Sequence, residues 1–237
     1  MAFKKRVVVL AAHTDDAEFG AGGVMVNMIR AGYEVVVGNM VPGGAETVGR
    51  TSAALTGAAV EWLGFEAQAI EDSPAAFAVV ESFLDRHKPD LILTHWPIDE
   101  HADHRVTGSL TIRYVDARQK IRIDKDGGIH PRRYCPQLVF YEVISGKQSK
   151  CFRPDRFVDL DRDVFALKKR LMRLYTGTPM TGYMKSVYAH HLLMLEFRAR
   201  ESGACRHGEI DRGIWAEAFV SYPLARGQQK LALPGER

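Results

Sequence analysis

The sequence predicts a single α/β domain built on a mostly parallel sheet. Short β-branched segments alternate with segments of helical spacing in the amino-terminal half, and a strand–helix–strand order implies parallel pairing through a right-handed crossover. The chain has 237 residues, of which 46% are apolar and 26% charged. This is the composition of a soluble globular protein and a length typical of one α/β domain.

The amino-terminal half is predicted to contain successive strand–helix steps. Residues 6–12 form a β-branched run that is typical of a strand buried on both faces. Gly32 and Gly64 stand where helices are expected to end. The predicted elements are a strand at 6–12, a helix at 17–31, a strand at 34–41, a glycine-rich loop at 42–49 and a helix at 50–63.

The rest of the chain is predicted to continue the alternation. Ser73 and Pro74 indicate a helix start, because serine caps helices and proline suits the first helical position. The segment after Tyr222, rich in Gly, Gln and Lys, is expected to be flexible. The predicted elements are a helix at 73–87, a strand at 91–95, a helix at 105–116, a turn or excursion at 121–131, a strand at 137–144, helices at 164–175 and 187–200, and a short element at 213–219.

Charge and cysteine content argue against several classes of protein. The 32 Lys and Arg residues exceed the 29 Asp and Glu residues by only three and are spread along the chain, so a nucleic-acid partner is not expected. Cys135, Cys151 and Cys205 are too few and too far apart for a disulfide framework. No apolar run has the length of a membrane span. We therefore expect a cytoplasmic protein, and a homo-oligomer stays possible.

Two polar clusters follow predicted parallel strands. His13-Thr14-Asp15-Asp16, with Glu18, follows the first strand, and Asp99-Glu100-His101-Ala102-Asp103-His104 follows the strand at 91–95. Ligands of open α/β sheets bind beyond the carboxyl ends of the strands. The two clusters are therefore expected to share one site.

The residue types in these clusters favour a catalytic metal site. A strand-to-helix turn projects His13 and Asp16 to one side, because three residues span about one helical turn, and a distant histidine can complete the set. Three nitrogen or oxygen ligands with one open position are typical of catalytic zinc, whereas structural zinc uses four ligands, usually with cysteine. The remaining carboxylates and imidazoles can act as acid and base in hydrolysis.

The same residues also admit purely structural interpretations. Asp15 or Asp16 could cap the helix that begins at residue 17. His101 and His104 could lie on a solvated first helical turn.

Other candidate motifs are expected to be structural. Gly20-Ala21-Gly22-Gly23 is not a dinucleotide fingerprint and is expected to let the helix pack closely on the sheet. His190-His191 predicts one packed and one exposed histidine, and Lys168-Lys169-Arg170 with Arg173 predicts a solvated helix face. No serine lies in a GxSxG elbow, so acyl transfer through serine is not supported.

Two segments resemble the signatures of a known family. Ala12-His13-Thr14-Asp15-Asp16-Ala17-Glu18-Phe19-Gly20-Ala21-Gly22-Gly23 resembles AHPDDxExxxGG, the amino-terminal signature of the PIG-L or LmbE-like family of zinc-dependent N-acetylglucosaminyl deacetylases. Pro97-Ile98-Asp99-Glu100-His101-Ala102-Asp103-His104-Arg105 resembles its second signature, PxDxHxDHR. Weaker similarity covers residues 63–64, the strand before His95, and residues 137–141 and 215–219.

The resemblance implies a fold, an activity and a set of roles. The fold would be a Rossmann-like three-layer sandwich, and the reaction would be hydrolysis of an N-acetyl group on an amino sugar or its conjugate, a small molecule. The cofactor would be Zn²⁺, with another divalent metal such as Fe²⁺ as an alternative. The implied roles are metal ligation by His13, Asp16 and His104, general base for Asp15, oxyanion support for His101, and orientation of a ligand imidazole for Asp103.

Two positions bear on the substrate side of this expected site. Thr14 replaces the proline of the signature, and its hydroxyl is expected to bond locally. Arg50, placed on the glycine-rich loop after the second strand, is predicted to hold polar groups of the substrate. The alternative for Arg50 is a surface arginine at a helix start.

Two other functions compete with the deacetylase hypothesis. A nucleotide-binding oxidoreductase of Rossmann type would need a glycine fingerprint, which the chain lacks. A noncatalytic sugar-binding protein on the same scaffold is disfavoured, because every proposed ligand and the base are present.

Overall fold

Alternating strands and helices form a layered α/β structure in the computed structural model. It describes residues 4–119, 122–123, 126, 129–130, 134–144, 148–177, 181–203, 215–224 and 228–236. The elements, in chain order, are β1 (Arg6–Ala11), α1 (Asp16–Arg30), β2 (Glu34–Asn39), α2 (Glu46–Thr56), β3 (Ala59–Trp62), α3 (Pro74–His87), β4 (Leu91–His95), α4 (Ala102–Gln119), β5 (Arg122–Ile123), β6 (Ile129–His130), β7 (Gln137–Tyr141), β8 (Arg156–Leu160), α5 (Arg162–Leu174), a 3₁₀ turn (Tyr175–Gly177), α6 (Thr181–Glu201) and β9 (Trp215–Ser221).

The main sheet has seven strands in the order β3-β2-β1-β4-β7-β9-β8. The pairings from β3 to β7 are parallel, and β9 pairs antiparallel with both β7 and β8. The strand order reverses between β1 and β4, which are direct neighbours. In a doubly wound sheet, this reversal opens a crevice at the carboxyl ends of the two strands. The predicted Rossmann-like, mostly parallel α/β fold is confirmed.

Helices cover both faces of the sheet. In β1, Val7 and Val9 belong to the core under α1, α5 and α6, whereas Val8 and Leu10 belong to the core under α3 and α4. Successive side chains of a strand point to opposite faces, so a continuous apolar run is what a strand buried on both faces requires.

The glycines of α1 allow the close packing that the sequence predicts. A Cβ on Gly20 would lie 2.2 Å from Cδ2 of Tyr141 in β7, and one on Gly23 would lie 2.4 Å from Cδ2 of Leu160 in β8. Neither distance is compatible with a side chain unless the neighbour moves. The absence of a side chain at both glycines therefore allows α1 to pack this closely on the sheet.

Two strands differ from the sequence prediction. The helix predicted at 50–63 ends at Gly57, which adopts a left-handed conformation with φ 87°, and β3 follows it. β8 was not predicted at all. Both are short strands at the two edges of the sheet, so each pairs with only one neighbouring strand of the main sheet.

The described part of the carboxyl-terminal tail is packed, contrary to the expected flexibility. Leu233 is buried, Asp159 N–H donates to the Gly235 carbonyl at 2.9 Å, and Arg156 Nε donates to Glu236 at 2.8 Å. These contacts cover the free edge of β8. Cys205, residues 127–128 and residues 213–214 lie outside the described residues.

Lys168 also differs from the sequence prediction, because it is fully buried and not part of a solvated face. Its ammonium donates to the carbonyls of Glu18 and Phe19, at 3.1 and 2.7 Å, and to Glu217 Oε1 at 2.5 Å. Glu217 in turn accepts from the backbone amides of Gly23 and Val24. This buried ion pair fastens the first turns of α1 to β9.

The histidine pair in α6 agrees in part with its prediction. His191 is buried and lies with Nδ1 3.2 Å from the Val143 carbonyl, while His190 is half-buried. No helix in the described part of the chain is long and apolar enough to cross a membrane.

Candidate metal and catalytic site

The two polar clusters meet at the carboxyl ends of β1 and β4. The strands are paired in register from Val7 and Leu91 to Leu10 and Thr94, so the residues that follow each strand emerge side by side. His13 lies in the turn between β1 and α1, and His104 lies in the first turn of α4. The predicted shared site is therefore formed at the reversal of strand order.

Asp16 lies at the centre of this site and is buried. Its Oδ2 accepts the backbone N–H of His13 at 2.8 Å and lies 3.3 Å from His13 Nδ1. Its Oδ1 lies 3.4 Å from His104 Nε2. Burial by itself would raise the pKa of Asp16, but the neighbouring imidazole of His104 holds it well below its usual range.

A second carboxylate lies behind His13. Asp103 Oδ2 is 3.0 Å from His13 Nε2 and also accepts the backbone N–H of Gln68 at 2.7 Å. A carboxylate at Nε2 favours a proton there, which leaves the Nδ1 lone pair facing Asp16. Asp103 thus lies where a carboxylate could orient the His13 imidazole, the role that the resemblance implies for it.

His104 has a similar arrangement with its ring nitrogens exchanged. Its Nδ1 lies 3.2 Å from Asp99 Oδ1, a contact that lacks the alignment of a hydrogen bond, and its Nε2 faces Asp16. His104 is buried, so the interpretation of a solvated helical turn is wrong for this residue.

The carboxylates of the site favour positive charge on the neighbouring imidazoles, His13 and His104. Burial favours the neutral form of both imidazoles, but the nearby carboxylates outweigh it. They raise the pKa of His13 to about 9, chiefly through Asp16, and the pKa of His104 to about 10, through Asp16 and Asp99. A divalent cation could replace the two protons that these imidazoles hold, and imidazole with carboxylate is a ligand set that zinc accepts. The residues therefore fit the metal that the resemblance implies.

Potential metal-binding side chains in the described residues form two overlapping groups. One is His13, His101 and His104, and the other is Asp16, His95 and His104; in each, the ligand atoms lie within 4.8 Å of one another. The set expected from the resemblance takes His104 from both groups, His13 from the first and Asp16 from the second.

His95 was not among the predicted site residues. It ends β4, is buried, and its ring stacks on that of His104 with centroids 4.1 Å apart. Its Nε2 accepts the Ala12 N–H at 2.9 Å, so that lone pair is occupied, and burial together with the charge of His104 lowers its pKa to about 4. A neutral His95 thus forms the floor of the site. Its position at the end of a buried strand is the signal that could have identified it.

Among the described residues, the Asp15 side chain has no hydrogen-bond partner that would explain a structural role. It occupies the N-cap position of α1, but its side chain accepts no capping hydrogen bond, and the Asp16 carboxylate bonds to His13 instead of to a helix amide. The capping interpretation is therefore wrong for both residues. Burial, followed by the charge of Asp16, raises the pKa of the Asp15 carboxyl to about 7.

His101 lies at the half-exposed side of the site. Its ring centroid is 4.7 Å from that of His13, and its Nδ1 accepts the Asp103 N–H at 3.3 Å. Burial and the charges of His104 and His13 lower its pKa, which favours the neutral ring. With Nδ1 accepting, the proton of that neutral ring is on Nε2, so His101 offers an N–H donor.

Thr14 and Arg50 are connected through Trp62. The Thr14 hydroxyl accepts from Trp62 Nε1 at 3.0 Å and lies within hydrogen-bond distance of the carbonyls of Val41 and Pro42, so its bonds are not local as expected. Arg50 belongs to α2 and not to the loop before it, is exposed, and lies with its guanidinium 4.8 Å from the Trp62 ring centre.

The fold and this site define the class of protein: a Rossmann-like α/β protein with an imidazole–carboxylate cluster at the reversal of its sheet. The family described as PIG-L, GlcNAc-PI de-N-acetylase, matches residues 8–115, which include both signature segments. Over these residues the chain is similar to the PIG-L family, in agreement with the resemblance of its two signature segments. No curated protein matches the chain.

Several solved structures share the fold. The N,N'-diacetylchitobiose deacetylase of Pyrococcus horikoshii has a TM-score of 0.73 at 20% identity, covering 92% of this chain and 84% of its own. GalB, the 4-carboxy-2-hydroxymuconate hydratase of Pseudomonas putida, has a TM-score of 0.73 at 19% identity, covering 96% and 100%. A conserved protein of Thermus thermophilus has a TM-score of 0.72 at 21% identity, covering 98% of each chain.

Proposed function

We propose that the protein is a metal-dependent N-deacetylase that removes an acetyl group from an amino sugar or a sugar conjugate. The observation that carries the proposal is the central position of Asp16, which lies between Nδ1 of His13 and Nε2 of His104. The other nitrogen of each ring lies beside a carboxylate, so both lone pairs are directed to the same place. The PIG-L family match and the chitobiose deacetylase among the structural neighbours support this choice of reaction.

In this proposal His13, Asp16 and His104 hold one divalent ion, Zn²⁺ or an alternative such as Fe²⁺. When bound, such an ion would polarise the acetyl carbonyl and make water more acidic. Asp103 and Asp99 keep the ligand imidazoles in the required tautomers. His95 fills the space beneath the ligands and keeps water away from that side.

Asp15 is assigned to the proton transfers. A base is most useful when its pKa lies near the working pH, and the surroundings of Asp15 raise its pKa to about 7. Its carboxylate removes a proton from the attacking water and then returns that proton to the departing amine. His101 donates from Nε2 to the carbonyl oxygen as negative charge develops there.

The substrate side is assigned to the rim formed by Arg50 and Trp62. The exposed guanidinium offers several fixed donors, and the ring beneath it limits its motion.

The two described thiols, Cys135 and Cys151, are free, which supports the cytoplasmic location expected from the cysteine content.

Release of acetate together with a free amine tests the proposal. The purified protein is stripped of metal with a chelator, and half of the sample is reloaded with Zn²⁺. Both samples are incubated with N-acetylglucosamine derivatives, acetylated thiol-sugar precursors and diacetylchitobiose. We expect acetate and amine in equal amounts from at least one substrate, only in the reloaded sample.

The GalB likeness makes hydration the competing reaction on this fold, so the same samples are given a hydroxymuconate-type unsaturated acid. Loss of its ultraviolet absorbance, with no acetate from any acetylated amine, would contradict the deacetylase proposal and favour a hydratase.

A further inference from the structure

The loop between β4 and α4 contains a buried carboxylate, Asp99, that contacts both site histidines of its cluster. Its Oδ1 accepts the backbone N–H of His101 at 2.9 Å and lies 3.2 Å from His104 Nδ1. The contact with His104 is not aligned as a hydrogen bond. A small rotation of the Asp99 carboxylate therefore decides how well it holds the His104 proton.

The other oxygen of Asp99 is held from a distant part of the chain. Ser149 donates from Oγ to Asp99 Oδ2 at 2.9 Å, and both residues are buried. Within the described ranges, no other side chain donates to this oxygen. Removal of the hydroxyl would leave a buried carboxylate oxygen without a hydrogen-bond donor. Because this is unfavourable, the carboxylate would tend to rotate toward another donor.

The backbone around Ser149 is fixed independently of its hydroxyl. Residues Asp99 and Ser149 form an antiparallel bridge, in which Glu100 N–H donates to the Gln148 carbonyl at 3.0 Å and Lys150 N–H donates to the Ile98 carbonyl at 2.8 Å. An alanine at position 149 would keep these bonds. The hydroxyl can therefore be removed without removing the strap formed by residues 148–150.

We propose that Ser149 is a positioning residue that acts on His104 through Asp99. His104 can offer its Nε2 lone pair to a metal only while Nδ1 carries the proton, and the Asp99 carboxylate favours that tautomer. Ser149 holds Oδ2 and thereby keeps Oδ1 within 3.2 Å of His104 Nδ1, the distance at which the carboxylate favours a proton on that nitrogen. This inference rests on the proposed metal function and assigns a role to a residue outside both signature segments.

A double-mutant cycle on zinc affinity tests the inference. Dissociation constants for Zn²⁺ are measured by competition with a chromophoric chelator for the wild type, Ser149→Ala, Asp99→Asn and the double variant. We expect Ser149→Ala to weaken zinc binding about tenfold and Asp99→Asn at least as much, the range usual for residues that orient a metal ligand. In the Asp99→Asn background, Ser149→Ala should have almost no further effect, because its target is gone.

Two further variants separate the hydroxyl from general stability. Ser73→Ala removes the hydroxyl that accepts the Ala76 N–H at the start of α3, so it should lower the thermal midpoint while leaving zinc affinity unchanged. Ser149→Thr keeps a hydroxyl and should keep most of the affinity.

The inference is overturned if Ser149→Ala binds zinc as the wild type does, if its effect adds fully to that of Asp99→Asn, or if Ser149→Thr loses as much affinity as Ser149→Ala. A wild-type protein that binds no zinc would instead overturn the proposed function and this inference with it.

Discussion

Replacement of Lys168 by methionine should cause a large loss of stability, because its ammonium is buried and fully paired. The substitution leaves the Glu217 carboxylate without its counter-charge and the carbonyls of Glu18 and Phe19 without this donor. Breaking a buried pair by removing one partner typically costs about 3–5 kcal/mol. Since a domain of this kind is stable by about 5–15 kcal/mol, the variant should fold with only a small reserve.

Urea-induced unfolding followed by circular dichroism measures this effect. Lys169→Met is the matched control, because the neighbouring ammonium lies over the Phe165 ring on a partly exposed surface, and we expect a change of less than ~1 kcal/mol. The double variant Lys168→Met/Glu217→Gln should recover part of the loss, since no unpaired charge remains. If Lys168→Met unfolds at the same urea concentration as Lys169→Met, the buried ion pair does not exist as described.

Three further predictions concern packing, the carboxyl terminus and the substrate rim. Gly20→Ala should destabilise the protein by about 1–3 kcal/mol, because its Cβ would lie 2.2 Å from Tyr141. Gly22→Ala, whose Cβ would have its nearest contact at 3.6 Å, should be neutral or stabilising. Equal unfolding midpoints for the two variants would contradict the close packing of α1 at Gly20. Burial would raise the pKa of Glu236, but Arg156 lowers it to about 2. This carboxylate therefore adds stability above about pH 4.5 that is lost as the pH falls toward 2. Glu236→Gln should flatten this part of the stability–pH curve, and an unchanged slope would contradict the ion pair with Arg156. Arg50→Ala should raise KM for the true substrate by roughly tenfold with little change in kcat, and unchanged kinetics would make Arg50 an ordinary surface arginine.

Much of the fold follows from local patterns. β1, α1, β2, α3 and β4 have clear periodicity or clear caps, and Ser73 accepts the Ala76 N–H at 3.1 Å as its sequence position predicts. The meeting of the two polar clusters follows from the rule that parallel strands end at one edge. What could not be predicted is how the cluster residues contact one another, because those contacts depend on the register of β1 against β4.

Lys168 shows how a charged side chain can conceal a helix face. Val164, Lys168 and Leu171 follow helical spacing, so the lysine lies within the buried stripe of α5. The adjacent basic residues Lys169 and Arg170 predict a solvated surface, whereas the helical spacing places Lys168 on the buried face. The buried partner, Glu217, lies on β9 far along the chain, and local sequence carries no information about such a pair.

The proposed role of Ser149 could not be predicted from the sequence. Nothing in the sequence around it indicates a role, because its contacts with Asp99 are made to a residue 50 positions earlier in the chain. Edge strands such as β8 share this property, since their identity depends on the neighbour with which they pair.

Metal content and turnover of two neighbouring aspartate variants distinguish the roles proposed for Asp15 and Asp16. We expect Asp15→Asn, which removes the proposed base and leaves the proposed ligands, to keep about one divalent metal per chain while kcat falls by ~10² to 10⁴ with little change in KM. We expect Asp16→Ala to lose its metal on dialysis, and excess zinc to restore part of the activity. An Asp15→Asn protein that is empty of metal, beside an Asp16→Ala protein that keeps its metal and loses only turnover, would contradict the assignment of these two carboxylates.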